Sequence, residues 1–224
     1  MKGNMKLGLV LAIFAAVGCA SLAVVYSITE SAIAAQSQRA LSDSLKEIFP
    51  DSASFEDISA TLSSSVEGVK FEQAFLVKSA SMALGVAIKA TGPSYGGPAK
   101  LLVGVALNRS IAGVRVLELN DTAGLGANAK NASYYVKKAE KITFPGQFAG
   151  KFLTDPFEVK KDVAAITAST ITSRSLTKII KTAADAAAIW LENSTMAAPA
   201  AAPVAAAADQ TTATPGSTGT TGGK

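Results

Sequence analysis

The apolar pattern falls into three regimes along the chain. Leu7 to Ile28 carries no charged side chain over 22 residues. At about 1.5 Å per residue such a helix crosses a hydrocarbon core of about 30 Å. Lys2 and Lys6 precede it, Glu30 follows it, and the next positive charge is Arg39. The positive-inside rule then predicts a cytoplasmic N-terminus (residues 1–6), a transmembrane helix (7–28) and a domain outside the cytoplasm. Tyr26 lies near the outer end, where aromatic anchors are common. A polar-leaning helix continues over Glu30 to Phe49, with Ile33, Leu41, Leu45 and Ile48 at partial helical spacing. Pro50-Asp51-Ser52 stops it, and residues 29–65 read as a helical stalk.

The second regime is β-like. Phe71 to Val77, Ala83 to Lys89, Leu101 to Leu107 and Gly113 to Leu119 are four predicted strands, and Asn108 to Ala112 suits a hairpin between the last two. Strands adjacent in sequence favour an antiparallel sheet, and with the helices around it the fold class is α+β. Two glycine joints interrupt the pattern, Tyr95-Gly96-Gly97-Pro98 and Asp121-Thr122-Ala123-Gly124-Leu125-Gly126. Each serves as a tight turn or as a close backbone approach to a ligand. Gly124-Leu125-Gly126 lacks the third glycine and the βαβ setting of a dinucleotide fingerprint. Asn131 to Lys141 reads as a Lys-rich, helix-like piece with a solvated face at Lys137, Lys138 and Lys141.

The third regime is a helix. Leu176, Ile179, Ile180, Ala183, Ala187, Trp190 and Leu191 mark one apolar face. Residues 66–192 thus form the predicted domain, and 193–224, rich in Ala, Pro, Thr and Gly, a disordered tail. Ahead of the helix, Thr167, Ser169, Thr170, Thr172 and Ser173 crowd seven positions. Thr172 or Ser173 is the natural N-cap, which leaves Thr170 just outside a helix N-terminus. Free N–H groups and the helix dipole favour an anion such as phosphate there. An ordinary cap with hydroxyls to spare explains the same residues.

Composition removes several chemistries. There is no histidine, which excludes the Ser-His-Asp triad, the Cys-His pair and every His-containing zinc site. Cys19 is the only cysteine, so neither an intrachain disulfide nor a cysteine-held iron–sulfur cluster can form. A net charge of +4, without Lys/Arg runs interleaved with aromatics, argues against nucleic acid. For the N-terminal segment, a cleaved signal peptide and an acylated lipoprotein at Cys19 stand beside the uncleaved anchor.

Taken in order, these features resemble the G subunit of the Rnf electron-transport complex and the related C subunit of the sodium-pumping quinone reductase. That family has one N-terminal membrane helix and an extracytoplasmic FMN-binding domain. A flavin transferase joins the FMN phosphate to a threonine in a pattern of Asp, two residues, Ser/Thr-Gly-Ala-Thr, then commonly an aliphatic and Thr-Ser. Thr167-Ala168-Ser169-Thr170-Ile171-Thr172-Ser173 is similar to it, with Thr170 at the attachment position. Tyr95-Gly96-Gly97 resembles the family's Tyr-Gly-Gly joint, Asp121 to Gly126 its Glu-Thr-Pro-Gly-Leu-Gly loop, and Phe144-Pro145-Gly146-Gln147-Phe148 its aromatic-x-x-Gln-Phe element. The departures are Ala164 for the acid (the nearest is Asp162), Ala168 for glycine, Ser169 for alanine, Asp121 for glutamate and Ala123 for proline.

The resemblance implies FMN held covalently at Thr170. Thr167, Ser169, Thr172 and Ser173 would surround the phosphate, and Thr122, Gly124, Leu125 and Tyr95 would line the rest of the site. It implies an electron relay without its own catalytic acid or base, single-pass in the inner membrane with its domain on the periplasmic side. Other membrane subunits would be its partners, in a complex that couples electron transfer to ion movement. The altered motif keeps a second reading open, an anchored extracytoplasmic scaffold without flavin.

Overall fold

The computed structural model describes residues 2–64, 66–80 and 82–197. Of the predicted tail, residues 198–224 lie outside the described residues. The first element, α1 (Lys2–Ile48), is one continuous helix. Among the described residues it is the one helix long and apolar enough to cross a membrane. Leu7, Leu9, Ile13, Val17, Leu22 and Tyr26 are all exposed and, at about 3.6 residues per turn, point to every side of the helix. A helix apolar all round requires a surrounding apolar phase.

Five strands follow: β1 (Ser54–Asp57), β2 (Lys70–Ser79), β3 (Met82–Ser94), β4 (Gly97–Ala106) and β5 (Ile111–Glu118). They form one sheet in the order β1-β2-β3-β4-β5, every neighbouring pair antiparallel. The four predicted strands and the α+β class hold. The sheet also takes in β1, a polar edge strand inside the segment that reads as stalk. Phe55 alone gives β1 an apolar signal, and its backbone pairs with β2 from Ser54 opposite Lys78 to Asp57 opposite Phe75.

The last helix, α2 (Thr170–Ala197), covers one face of the sheet. Leu176, Ile179, Ile180, Ala183, Ala184 and Ala187 of α2 are buried with Val86, Ile88, Ala90, Leu101, Val103, Val105, Val114 and Val116. Thr177 and Thr182, buried on α2, donate to the carbonyls of Ser173 and Lys178, so neither hydroxyl is orphaned. Trp190 Nε1 donates to Thr61 Oγ1 at 2.8 Å, tying the far end of α2 to the segment between β1 and β2. The helix continues through Ala197, past the residue-192 boundary.

On the opposite face, the last turns of α1 dock. Leu41, Leu45 and Phe49 are buried with Val77, Ala87 and Leu102. A Cβ on Gly104 would lie 2.5 Å from Ile48 Cγ2, and one on Gly113 would lie 3.2 Å from Ile48 Cγ1. The two glycines, paired across β4 and β5, make a notch for the helix end. Arg115 and Glu47 form an ion pair beside it. A sheet covered on both faces explains why β3 and β4 read as near-continuous apolar runs.

The segment predicted as a Lys-rich helix takes another form. A 3-10 helix at Gly126–Lys130 precedes a small antiparallel pair, β6 (Tyr135–Lys137) and β7 (Ile142–Thr143). Tyr134 and Val136 pack against the core, and Lys141 turns the chain with φ +53°. Two apolar contacts two residues apart favour extended backbone over a helix.

Candidate functional site

The hydroxyl cluster forms the head of α2. Ser173 N–H donates to the Ser169 carbonyl at 3.0 Å, the first helical bond, so Ser169 is the N-cap and Thr170 the first helical residue. The cap therefore lies a turn earlier than Thr172 or Ser173. Ala168 adopts φ +57° and breaks the backbone just before the helix, which fixes the start at Ser169. Ser173 Oγ accepts from Ile166 N–H and donates to the Ser169 carbonyl, and the side chain is fully buried. Ser173 thus holds the turn together from inside. In the first turn, the amides of Thr170, Ile171 and Thr172 precede any intrahelical acceptor.

The approach to this turn is braced from three sides. Gln147 clasps the Ala164 backbone: Ala164 N–H donates to Gln147 Oε1 at 2.7 Å, and Gln147 Nε2 donates to the Ala164 carbonyl at 3.1 Å. Thr167 N–H donates to the Tyr134 hydroxyl at 3.1 Å. Asp162 accepts from Lys151 Nζ and from the amides of Phe157 and Glu158. Burial pushes the Asp162 carboxyl up, but these donors together outweigh it and hold the group below the ordinary carboxylate range.

A cavity of about 410 Å³ opens at the helix head, lined by Tyr95, Thr122, Leu125, Gly126, Ala168, Ser169, Thr170, Ile171 and Thr172. Six of the predicted site residues meet there: Thr170, Ser169, Thr172, Thr122, Leu125 and Tyr95. Ser173 stands behind the wall, as described. Thr167 is exposed beside it. Gly124 is also exposed and turns its loop with φ +76°. Tyr95 and Gly96 form the two-residue turn between β3 and β4, where Ser94 pairs with Gly97. The first glycine joint is thus both a turn and part of the cavity wall.

Asp121 joins the walls. Its Oδ1 accepts from Gly96 N–H at 2.7 Å, and its Oδ2 accepts from Ser94 Oγ at 2.8 Å and Thr172 Oγ1 at 2.5 Å. The carboxylate is buried. A Cβ on Gly126 would lie 2.6 Å from Asp121 Oδ2 and 2.5 Å from Thr172 Oγ1, so only glycine lets the loop close over this contact. Residue patterns single out neither Asp121 nor Tyr134 as a site residue. Their partners are 25 to 51 and 33 residues away in sequence, and no local spacing reports such contacts.

Comparison with known proteins agrees with this geometry. Residues 2–48 match the RnfG N-terminal region, and residues 94–185 match the FMN-binding domain, a span from the β3–β4 turn well into α2. The G subunit of the Na(+)-translocating ferredoxin:NAD(+) oxidoreductase complex of Acetobacterium woodii is 29% identical over 189 residues, covering 77% of this chain and 86% of that protein. The G subunit of the ion-translocating oxidoreductase complex of Vibrio cholerae is 30% identical over 189 residues, with 80% and 88% covered. Its counterpart in Shewanella baltica is 30% identical over 211 residues, with 88% and 93% covered. With both regional matches in chain order, and this identity over most of each relative, the chain belongs to the RnfG family, the G subunits of ion-translocating oxidoreductase complexes, and carries an FMN-binding domain.

Proposed function

We propose that the protein is a membrane-anchored electron carrier of an Rnf-type complex, holding FMN by a phosphoester on Thr170. The observation that carries this reading is the position of Thr170. It is the first residue of α2, half-buried, in the wall of the 410 Å³ cavity at the helix N-terminus. The volume falls in the range of cofactor sites, about 300–1,000 Å³. The lining also has the mixed character a flavin nucleotide needs. Thr170, Ser169 and Thr172 offer hydroxyls, while Tyr95, Leu125 and Ile171 offer apolar surface for a ring.

Bound there, FMN supplies one-electron and two-electron chemistry. The chain's own residues bind and orient. The free amides of the first turn of α2 and the helix dipole would meet phosphate charge. In maturation, Thr170 Oγ1 would lose its proton and attack the phosphorus of an activated flavin nucleotide, with cleavage of that donor's phosphoanhydride and departure of its nucleoside phosphate. A flavin transferase would provide the base for this step. The tether would then keep the cofactor from diffusing away from a domain that, on this reading, lies outside the cytoplasm. That sidedness rests on Lys2 and Lys6 ahead of the apolar span 7–28 and on the acidic residue that follows it. Single-pass insertion in the inner membrane, with residues 66–192 on the periplasmic side, completes the reading. Its partners are the other subunits of the complex.

The test is in-gel flavin fluorescence after denaturing electrophoresis, on protein co-expressed with a flavin transferase. A fluorescent band that vanishes in Thr170→Ala is the expected result. A band surviving in Thr170→Ala would move the attachment to another hydroxyl, Ser169 first. A dark wild-type band, with no flavin in the native protein, would leave an anchored scaffold as the function.

A further inference from the structure

Three separate pieces of chain build the cavity wall: the β3–β4 turn with Tyr95, the loop after β5 with Thr122 and Leu125, and the first turn of α2 with Thr170 and Thr172. One side chain bonds to the first and third of them and belongs to the second. Asp121 Oδ1 takes the Gly96 amide, and its Oδ2 takes the hydroxyls of Ser94 and Thr172. We infer that Asp121 is the positioning residue of the flavin site. It clamps the Tyr95 turn and the Thr122–Gly126 loop onto the head of α2, and so sets how far solvent reaches the bound ring.

The physical case is one of donor counting. An ionised carboxylate is an acceptor only, and here it meets three donors at 2.5–2.8 Å in a buried setting. Bonds of this charge-assisted kind are about twice as strong as neutral ones. Removing the carboxylate leaves the Gly96 amide and two hydroxyls without an acceptor, on three segments that no longer share a partner. Tyr95 is then free to swing: the residue is 68% exposed, so its own packing does not hold the turn. Asn at this position has a different consequence. Its Oδ1 can still accept from Gly96, and its Nδ2 can donate to Ser94 and Thr172 once both hydroxyls rotate to accept. Asp121→Asn therefore removes the charge and keeps the clamp, while Asp121→Ala removes both.

This inference rests on the flavin reading of the cavity, and two measurements keep the two apart. The first is collisional quenching of the protein-bound flavin by acrylamide, in full-length flavinylated protein in detergent, with folding checked by circular dichroism. The expected result is a quenching constant raised about threefold or more in Asp121→Ala, with Asp121→Asn within a factor of about 1.5 of wild type. The second is hydrogen exchange of the Gly96 amide in flavin-free protein, expected at least tenfold faster in Asp121→Ala than in Asp121→Asn. If Asp121→Ala does not fold, the pair Ser94→Ala and Thr172→Val removes both bonds to Oδ2 with the carboxylate retained. The same rise in quenching is expected, while the Gly96 amide, still bonded to Oδ1, is expected to exchange as in wild type. Unchanged quenching in either folded, clamp-deficient protein, or unchanged Gly96 exchange in folded Asp121→Ala, would overturn the inference. A wild-type protein without flavin would overturn the flavin reading alone, and the exchange measurement would still decide the clamp.

Discussion

Ala168 holds φ +57° immediately before the N-cap of α2, in a region that costs an L-residue with a Cβ about 1–2 kcal/mol. The family pattern has glycine there, the residue that adopts this backbone without that penalty. Part of the gain is offset by the larger entropy that glycine loses on folding, about 0.5–1 kcal/mol. Ala168→Gly is therefore expected to stabilise the protein by about 0.5–1 kcal/mol, a rise in Tm of about 1–4 °C for a domain of this size. Thermal unfolding followed by circular dichroism checks it, and a fall in Tm would show that the turn is not strained. Asp162 gives a second prediction, with a pH sign. Its folded pKa lies below the ordinary value, so its ionised form contributes stability above about pH 4, which is lost as pH falls through the folded pKa. Asp162→Asn is expected to lower Tm at pH 7, and the gap to wild type is expected to narrow steadily from pH 5 to pH 3. A gap constant with pH would mean that Lys151 and the two amides do not stabilise the charged form. At this scale the hydroxyl cluster was legible from residue types alone, because a helix head advertises itself by Ser and Thr. The exact cap was not, since five hydroxyls offer several starts and the strained Ala168 chooses among them. Asp121 was legible only as a departure from a family loop, because its role depends on partners from two other segments.

Gly104 and Gly113 show what one element asks of another. They sit in neighbouring strands and face the end of α1, where a Cβ on Gly104 would meet Ile48 Cγ2 at 2.5 Å and Phe49 Cε2 at 2.8 Å. Gly104→Ala is expected to destabilise the protein by about 1–3 kcal/mol through overpacking. Combining it with Ile48→Ala, which removes the opposing methyl groups, is expected to recover part of that loss. A strictly additive double variant would show that the helix end is not seated in the notch. Urea unfolding of the full chain in detergent measures both. The elements themselves were largely written in the pattern: four strands from β-rich runs, α2 from its apolar stripe, α1 from its length and hydropathy. Those that escaped share a physical reason. β1 has one apolar side chain and is held by backbone pairing to β2, and β6–β7 is set by a turn at Lys141 and by contacts of Tyr134 and Val136 with a distant core. The docking of α1 escaped as well, because its partial spacing at Leu41, Leu45 and Ile48 matches a bare stalk equally well until a sheet face lies opposite.

On the scale of the molecule, α1 is both a helix apolar enough to cross a membrane and part of the fold. Ile28 ends the uncharged span, and Leu41 is the first residue buried against the sheet. The 12 residues between them span 13 helical rises of about 1.5 Å each, a stem about 20 Å long. Along this stem, Thr29 to Ala40 are exposed and the helix is unbroken, so the domain turns with the span rather than about it. Leu41, Leu45 and Phe49 bind the sheet at its foot, and the Glu47–Arg115 pair flanks them. The cavity at the head of α2 is built on that sheet, so on the proposed function its height and facing relative to the membrane are set by helix register. Insertions test this directly. Two alanines between Ala35 and Gln36 turn the domain by about 200° and lift it about 3 Å, whereas four turn it by only about 40° and lift it about 6 Å, at 3.6 residues per turn. Covalent flavin loading is expected to be the same in both variants, because the cavity lies wholly within the domain. Electron transfer through the assembled complex is expected to fall much further with two alanines than with four, measured as the rate of flavin reduction in membranes. Equal rates in both would mean that the stem bends freely, and that facing does not depend on α1.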